Sequence, residues 1–176
     1  MCRWSRWRLY RCGWFKAFME SIVFKPIGVL HTPFRQREGI PRQAAGAQAY
    51  TAVLEVFEDY QEGLKDVDGF SHLVVLFHLH QIERADLTAC PPWDDKPHGV
   101  FATCSPFRPN PIGVSVVRLE KREGRFLTIR GVDMLDGSPV LDIKPYVPDL
   151  YPRENVQVGW MTGKVNGMTG SRTGEK

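Results

Sequence analysis

The sequence predicts an all-β domain of short strands joined by long, proline-rich loops. Thirteen prolines and sixteen glycines among 176 residues are too many for a helical bundle. Short apolar runs alternate with turn residues at a spacing typical of a small antiparallel barrel or sandwich. The 43% hydrophobic fraction is enough to fold one domain of ordinary size. No apolar run reaches the length of about 18 residues that a membrane-spanning helix needs.

The first 18 residues differ in composition from the rest of the chain. They hold five basic residues and no acidic residue, whereas residues 19–176 hold 18 basic and 20 acidic residues, a net charge of −2. An upstream start codon, with Met19 beginning the protein, explains this break. A basic membrane-surface or targeting segment is the alternative. We therefore expect residues 1–18 to lie outside the fold, residues 19–160 to form the domain and residues 161–176 to form a flexible tail.

Two cysteines remain after that leader, Cys90 and Cys104, fourteen residues apart. Their spacing matches neither a CxxC motif nor a Cys/His zinc site. So few cysteines disfavour a disulfide scaffold and indicate a reducing compartment, the cytoplasm.

The strands of the first half are predicted from short apolar runs. Residues 22–30 and 52–57 form two of them, separated by a loop over residues 32–46. Pro26 keeps part of the first strand at an edge or a bulge. Residues 71–80 form the clearest strand, because Leu73, Val75 and Phe77 share one face with period two.

The second half of the chain begins with its densest proline segment. Residues 105–113 hold three prolines within six positions, which removes hydrogen-bond donors and predicts a stiff extended loop. Strands at 114–119 and 126–132 flank a hairpin turn at Glu123 and Gly124. A second turn, at Asp136 and Gly137, precedes a last strand at 140–143.

Three groups of polar residues are candidates for chemistry. His78 and His80 lie two residues apart on one predicted strand face and could hold a metal ion. No third ligand is indicated by spacing. We therefore interpret the two histidines as polar residues at the edge of a half-buried strand and predict no metal site. Asp142 and Lys144 should also share a strand face, as an ion pair. The proline-rich loop, with Arg108, is rigid enough to present side chains to a ligand.

Several common catalytic motifs are missing from the sequence. There is no GxGxxG after a strand, no P-loop and no GxSxG elbow. A Rossmann cofactor site, nucleotide hydrolysis and α/β-hydrolase chemistry are therefore disfavoured. The residues alone predict a compact β domain with a polar cleft and leave its reaction open.

Five ordered motifs narrow this interpretation. They are residues 27–29 with 32–34, Pro41-Arg42-Gln43, residues 69–73, residues 99–113 with the run Ser-Pro-Phe-Arg-Pro-Asn-Pro-Ile-Gly, and residues 135–140 with 142–146. Over roughly residues 22–150 the chain resembles the TsaA/YaeB-type family, also called TrmO. These are S-adenosylmethionine-dependent tRNA methyltransferases.

This resemblance implies a small antiparallel β-barrel that acts as a homodimer. Members methylate N6 of threonylcarbamoyl-adenosine, converting t6A to m6t6A beside the anticodon of tRNA. Carried over by motif, the residues expected to bind S-adenosylmethionine are Pro41, Arg42, Gln43, His80, Gln81, Cys104, Val114, Leu135, Asp136, Gly137 and Ser138.

Methyl transfer depends mainly on alignment of donor and acceptor, because the cofactor supplies the reactive group. The acceptor nitrogen lies between a purine ring and a carbamoyl carbonyl, so a modest base suffices. We assign Asp142 as that base and Lys144 as the group that holds the carbamoyl oxygen or threonyl carboxylate.

A domain with a net charge of −2 binds RNA only through a local basic patch. The predicted RNA-binding residues are Arg35, Arg37, Arg108, Phe107 and Tyr146, the last two as stacking surfaces. The alternatives are a non-enzymatic RNA-binding β-barrel and a metal hydrolase ligated by His78 and His80.

The sequence departs from the family pattern at Cys104, where many bacterial members have arginine. A cysteine lacks the permanent charge and the several donors of a guanidinium. The sequence also ends soon after residues 142–146, so we expect a member without the C-terminal segment of the longer bacterial ones.

Overall fold

Six antiparallel strands close into a β-barrel in a computed structural model that describes residues 21–41, 43–152 and 154–164. The predicted barrel is therefore confirmed. The leader at 1–18, Arg42 and the tail beyond residue 164 lie outside the described residues. Around the barrel the strands follow the order β1, β2, β7, β6, β3, β8. Their bounds are β1 Gly28–His31, β2 Thr51–Val56, β3 His72–His78, β6 Ile112–Glu123, β7 Phe126–Arg130 and β8 Pro139–Pro145.

The remaining regular segments are short. Strands β4, Thr88–Ala89, and β5, His98–Gly99, pair with each other outside the barrel. The helical segments are 3-10 turns at Ala44–Gly46, Glu58–Leu64, Val67–Gly69, Val100–Ala102, Pro148–Leu150 and Gly159–Met161. Within the described ranges, no helix has the length and apolar character needed to cross a membrane.

The core fills the barrel with the side chains of alternating positions. On β3, Leu73 and Val75 are fully buried and Phe77 is nearly so, which confirms the face predicted for this strand. They pack with inward residues of the other strands, such as Leu54 and Leu127. Apolar and polar residues alternate with period two on strands that have one solvent-exposed face, so the sequence pattern predicted this face correctly.

Two register shifts change which side chains face inward. On β8 the partner of Phe77 is Val140, but the partner of Leu76 is Asp142, so Leu141 is an extra residue. After this bulge the inward position passes to Ile143, which packs against the core. The second shift, between β6 and β7, leaves Glu120 as the extra residue.

Some predicted strand boundaries were wrong. Residues 22–27 precede β1, which begins at Gly28, and the strand predicted at 71–80 ends at His78. Pro26 has no N–H group for a ladder, so pairing starts after it. The strands predicted at 114–119 and 126–132 are confirmed as a hairpin, with Gly124 at φ +60° in its turn.

The last described residues contact the loop beside β5. Trp160 stacks on the His98 ring with centroids 3.8 Å apart, and its Nε1 donates to the Ala102 carbonyl at 2.8 Å. Lys164 Nζ lies 2.5 Å from the Asp94 carboxylate, which His98 Nε2 also contacts at 3.1 Å. These contacts hold residues 159–164 against the segment that leads into the proline-rich loop.

Candidate functional site at the end of the barrel

A cavity of about 360 Å³ opens at one end of the barrel. It lies where β3 ends and β6 begins, and loops from three other parts of the chain complete its walls. Its volume falls within the range typical of small-molecule sites. The residues that line it are Arg37, Ile40, Pro41, Gln43, Phe77, Leu79, His80, Gln81, Ile82, Thr103, Cys104, Ser105, Pro106, Arg108, Ile112, Gly113, Val114, Ser115, Asp133, Met134, Leu135 and Ser138.

The floor of the cavity belongs to the barrel interior. Phe77 on β3 and Gly113 on β6 are register partners with inward-facing positions. A Cβ atom added at Gly113 would lie 2.6 and 2.7 Å from Cε2 and Cε1 of Phe77, and closer still to Cζ. Glycine therefore lets the phenyl ring lie flat against the backbone of β6 and shapes the floor.

A half-buried carboxylate, Asp133, contacts this floor from the segment that follows β7. Ser115 Oγ donates a hydrogen bond to Asp133 Oδ1 at 2.6 Å. Burial raises the pKa of the Asp133 carboxyl above its ordinary value, although the bond from Ser115 acts in the opposite direction. No role was assigned to Asp133 or Ser115 from the sequence. A signal was present for Asp133, because this acid stands between two apolar residues, Val132 and Met134, which the structure shows to be buried.

His80 lies just beyond the end of β3 and also lines the cavity. Burial, followed by the charge of His78, lowers the pKa of His80, whereas Asp136 acts in the opposite direction. A neutral imidazole keeps one donor and one acceptor for a ligand. Its Nδ1 lies 3.4 Å from Ser138 Oγ, and the direction of that hydrogen bond depends on the tautomer.

The proline-rich loop is held in place by Arg108. Its guanidinium donates to the carbonyls of Val100 at 3.1 Å and Thr103 at 2.9 Å. The Thr103 hydroxyl donates to the same Val100 carbonyl at 2.9 Å. Arg108 therefore acts as an internal support for the wall formed by residues 103–108, a structural role that the sequence did not predict.

Phe107, on the same loop, is half-buried and contacts two arginines. The guanidinium of Arg37 lies 5.0 Å from the ring centroid, and that of Arg84 lies 4.7 Å from it. Both distances fit cation–π contacts. This group combines a planar ring with two positive charges next to the cavity, because Arg37 is itself a lining residue.

The turn at residues 135–138 is held against the end of β1 and the loop that follows it. Asp136 accepts a hydrogen bond from the Thr32 N–H at 2.9 Å and forms an ion pair with Arg35. Gly137 has φ +75°, in the left-handed region that favours glycine. Its N–H donates to the Leu30 carbonyl at 2.8 Å. Of the four turn residues, Leu135 and Ser138 line the cavity, while Asp136 and Gly137 hold the turn against the loop after β1.

The structure brings most of the predicted cofactor residues to one place. Eight of them lie on the cavity wall: Pro41, Gln43, His80, Gln81, Cys104, Val114, Leu135 and Ser138. Of the predicted RNA-binding residues, Arg37 and Arg108 line the same cavity. Arg35 and Phe107 lie beside it, as described above. The predicted binding roles stay predictions, since these facts concern position only.

The predicted catalytic pair lies elsewhere. Asp142 and Lys144 do not line the cavity; they follow the β8 bulge and face outward, with Lys144 Nζ 2.5 Å from Asp142 Oδ2. The hydrogen bond from Lys144 to Asp142 raises the pKa of the lysine. Tyr146 follows them and stacks on Tyr151, with ring centroids 5.5 Å apart. The shared face of the pair is confirmed, but it is not the face of the cavity.

A metal centre would need more ligands than the histidine pair. His78 is the last residue of β3 and His80 lies in the following turn. Within the residues that the structure describes, no three His, Cys, Asp or Glu side chains come together as possible metal ligands.

Comparison with known proteins gives a consistent picture. Residues 29–150 match the family model described as the tRNA-methyltransferase O N-terminal domain. A probable S-adenosyl-L-methionine-binding protein of Pyrococcus abyssi is 47% identical over 151 residues, covering 86% of this chain and 82% of that protein. A tRNA (adenine(37)-N6)-methyltransferase of Mus musculus is 36% identical over 156 residues, covering 84% of this chain but 36% of that protein.

Solved structures agree with these sequence matches. The crystal structure of TrmO from Pseudomonas aeruginosa superimposes with a TM-score of 0.66 at 38% identity. The alignment covers 80% of this chain and 62% of that one, so the chain spans about three fifths of its length.

Proposed function

The chain belongs to the tRNA-methyltransferase O family, and from this membership we propose that it binds S-adenosylmethionine in the cavity and methylates tRNA. The proposed acceptor is N6 of threonylcarbamoyl-adenosine beside the anticodon, which becomes m6t6A. The name of the mouse relative, a tRNA (adenine(37)-N6)-methyltransferase, supports this acceptor. The activity of the whole protein, its tRNA substrate and its cytoplasmic location all form part of the proposal.

One observation carries the proposal. Residues expected from the family resemblance, including Pro41, His80, Cys104 and Ser138, line a single cavity although up to 97 positions separate them along the chain. Convergence of polar groups on a cavity with an apolar floor is typical of a small-molecule site. The sequence motifs alone could not establish that they meet.

The residues present fit S-adenosylmethionine. The floor at Phe77 and Met134 offers apolar contact to a ring, while His80 and Gln81 offer hydrogen bonds to polar edges. The carboxylate of Asp133 has the opposite charge to a sulfonium. A cavity of about 360 Å³ takes one ligand of drug size.

When bound, the cofactor supplies a methyl group on a positively charged sulfur. N6 of the base would accept this methyl group and would release its proton to a base or to solvent. The chain's own contribution is alignment, which can lower a barrier by about 7–11 kcal/mol. Asp142 and Lys144 stay our candidates for the acceptor side, although neither lines the cavity proposed to hold the cofactor.

The acceptor RNA would meet the basic face beside the cavity. Phe107, flanked by Arg37 and Arg84, offers a ring for stacking and two positive charges for phosphates. Arg35 is exposed beside the turn at residues 135–138, where its ion pair with Asp136 neutralises part of its charge. Arg108 would support this face from within.

We also propose a homodimer. Val114 and Val116 on β6 point outward and are 61% and 37% exposed. Of their register partners on β3, Leu76 is half-buried and adds to this apolar surface, whereas Val74 is already buried within the chain. An exposed apolar patch centred on β6 is suited to contact with a second copy of the chain.

The test combines binding with product analysis. Calorimetry should detect S-adenosylmethionine binding, and nucleoside mass spectrometry should detect m6t6A after incubation with t6A-bearing tRNA. Matched tRNA without the threonylcarbamoyl group serves as the control and should stay unmodified. Binding of tRNA without any affinity for the cofactor would instead favour the non-enzymatic RNA-binding barrel.

The acceptor-side residues can be tested separately. Asp142→Asn should leave cofactor affinity unchanged, because the residue lies outside the cavity, and should lower the rate of methyl transfer. Unchanged transfer would remove Asp142 from the reaction while leaving the cofactor proposal intact.

A further inference from the structure

The charged groups of the cavity are unevenly distributed. Arg37 and Arg108 lie on the loops that form its walls, whereas Asp133 contacts the floor of the cavity. Among the described lining residues, Asp133 is the one acidic side chain. The Arg108 guanidinium donates to two loop carbonyls, so part of its charge is already compensated. The negative charge is therefore concentrated at the floor.

Asp133 is half-buried between apolar neighbours and is held by hydrogen bonds. Ser115 Oγ donates to one carboxylate oxygen at 2.6 Å, and the backbone N–H of Ala44 also favours the ionised form. Ser115 lies between Gly113 and Val117 on the inward face of β6, and Val132 and Met134 beside Asp133 are buried. Even with these donors, burial dominates and raises the pKa of the carboxyl. A cation in the cavity would compensate this partly buried charge.

We propose that Asp133 makes the cavity select the cationic, methyl-bearing form of the cofactor over the neutral thioether left after transfer. This inference rests on the function proposed above. The two forms share the adenosine and amino-acid groups and differ in one methyl group and one positive charge on sulfur. A carboxylate at the floor of a partly dry cavity distinguishes them by charge, because opposite charges attract more strongly where the dielectric is low.

The selection has a consequence for turnover. Once the methyl group has left, the sulfur is neutral and its attraction to Asp133 disappears. The demethylated cofactor is then held only by the adenosine and amino-acid groups that both forms share. It dissociates and is replaced by S-adenosylmethionine. Asp133 thereby acts as a specificity-determining residue, and the reaction itself requires no proton transfer to or from it.

The experiment measures both ligands on the same variants. Calorimetry at pH 8.5, which favours the ionised carboxylate, gives the Kd of S-adenosylmethionine and of S-adenosylhomocysteine. The wild type should prefer the cationic ligand. Asp133→Asn keeps the shape of the side chain but removes its charge, and should reduce that preference about tenfold or more. A tenfold change corresponds to about 1.4 kcal/mol.

Glu123→Gln provides the matched control, since it removes one negative charge from an exposed position on the β6–β7 hairpin. Its preference should equal that of the wild type. Ser115→Ala keeps the carboxylate but removes a bond that favours its ionised form, so it should reduce the preference by a smaller factor. This second variant keeps the test decisive if Asp133→Asn does not fold.

The outcomes separate this inference from the proposed function. Failure of the wild type to bind either ligand would refute the cofactor proposal itself. Binding of the cofactor with an unchanged preference in both Asp133→Asn and Ser115→Ala would refute only the charge selection. Equal weakening of both ligands would also overturn it, because Asp133 would then contact a group that the two forms share.

Discussion

The close approach of Gly113 to Phe77 predicts that Gly113→Ala will damage both stability and the cavity. The added methyl group would lie 2.6 Å from Cε2 of Phe77, much closer than carbon atoms tolerate. The ring is 4% exposed and packs in the core, so it has little room to move within the barrel. Since Phe77 also lines the cavity, its free direction is into the ligand space.

The expected loss of stability depends on whether the Phe77 ring stays in the core or moves into the cavity. Overpacking a core usually costs about 1–3 kcal/mol, and movement into the cavity keeps the loss near the lower end. For a chain of this size, about 1 kcal/mol lowers the Tm by about 2–4 °C. The displaced ring should also weaken cofactor binding, by about tenfold if it removes about 1.4 kcal/mol of contact.

Urea unfolding and calorimetry measure the two effects. Gly63→Ala is the control, because a Cβ atom there meets nothing within 4 Å, and it should match the wild type in both measurements. Adding Phe77→Leu to Gly113→Ala removes the clashing ring atoms, so the double variant should be more stable than the sum of the single changes predicts. Additivity within about 0.5 kcal/mol would refute the reasoning, as would wild-type cofactor affinity in Gly113→Ala.

Four further predictions concern the cavity and the segment around Asp94. His80→Ala should weaken S-adenosylmethionine binding by about ten- to a hundredfold through the loss of a hydrogen bond, and His78→Ala should weaken it less. Methyl transfer should also survive EDTA, whereas loss with EDTA and recovery with zinc would favour the metal hydrolase. The cofactor should protect Cys104, which lines the cavity, from alkylation followed by mass spectrometry, but not Cys90, which is also a free exposed thiol; equal protection or none would place the ligand elsewhere. Hydrogen bonds from Lys164 and then His98 lower the pKa of Asp94 to about 2, so its stabilising contribution is complete above the ordinary carboxyl pKa of 3.8 and is lost as the pH falls towards 2. Asp94→Asn should therefore lower the Tm at pH 7 and have less effect at pH 2.5, and an equal decrease at both pH values would contradict this account.

Local pattern was sufficient to predict most of the fold. The alternation of Leu73, Val75 and Phe77 correctly gave the inward face of β3, and Gly124 correctly marked the β6–β7 hairpin. The choice of a barrel over a sandwich depended on the family resemblance, because closure between β1 and β8 joins residues more than one hundred positions apart. Strand pairing over that distance leaves no periodic signal in one sequence.

The site was predictable only where a motif existed. Pro41, His80 and Ser138 were found through the resemblance, and the structure places all three on one cavity. Asp133 and Ser115 were missed because their importance comes from mutual contact and burial rather than spacing. The RNA-binding role predicted for Arg108 stays a prediction, but the bonds from its Nη1 to carbonyls of its own loop could not be predicted from composition.

The extra residue on β8 has a consequence for insertions and deletions. In a regular strand, losing one residue turns every later side chain to the opposite face. Here Leu141 has no register partner on β3, and Val140 and Asp142 already pair with neighbouring positions of that strand. Deleting Leu141 would therefore straighten β8 and keep Ile143 inside the barrel. Length variation among related chains should thus be tolerated at this position and at Glu120. A single deletion at a paired position of the same strand would instead turn its later core residues to the outer face.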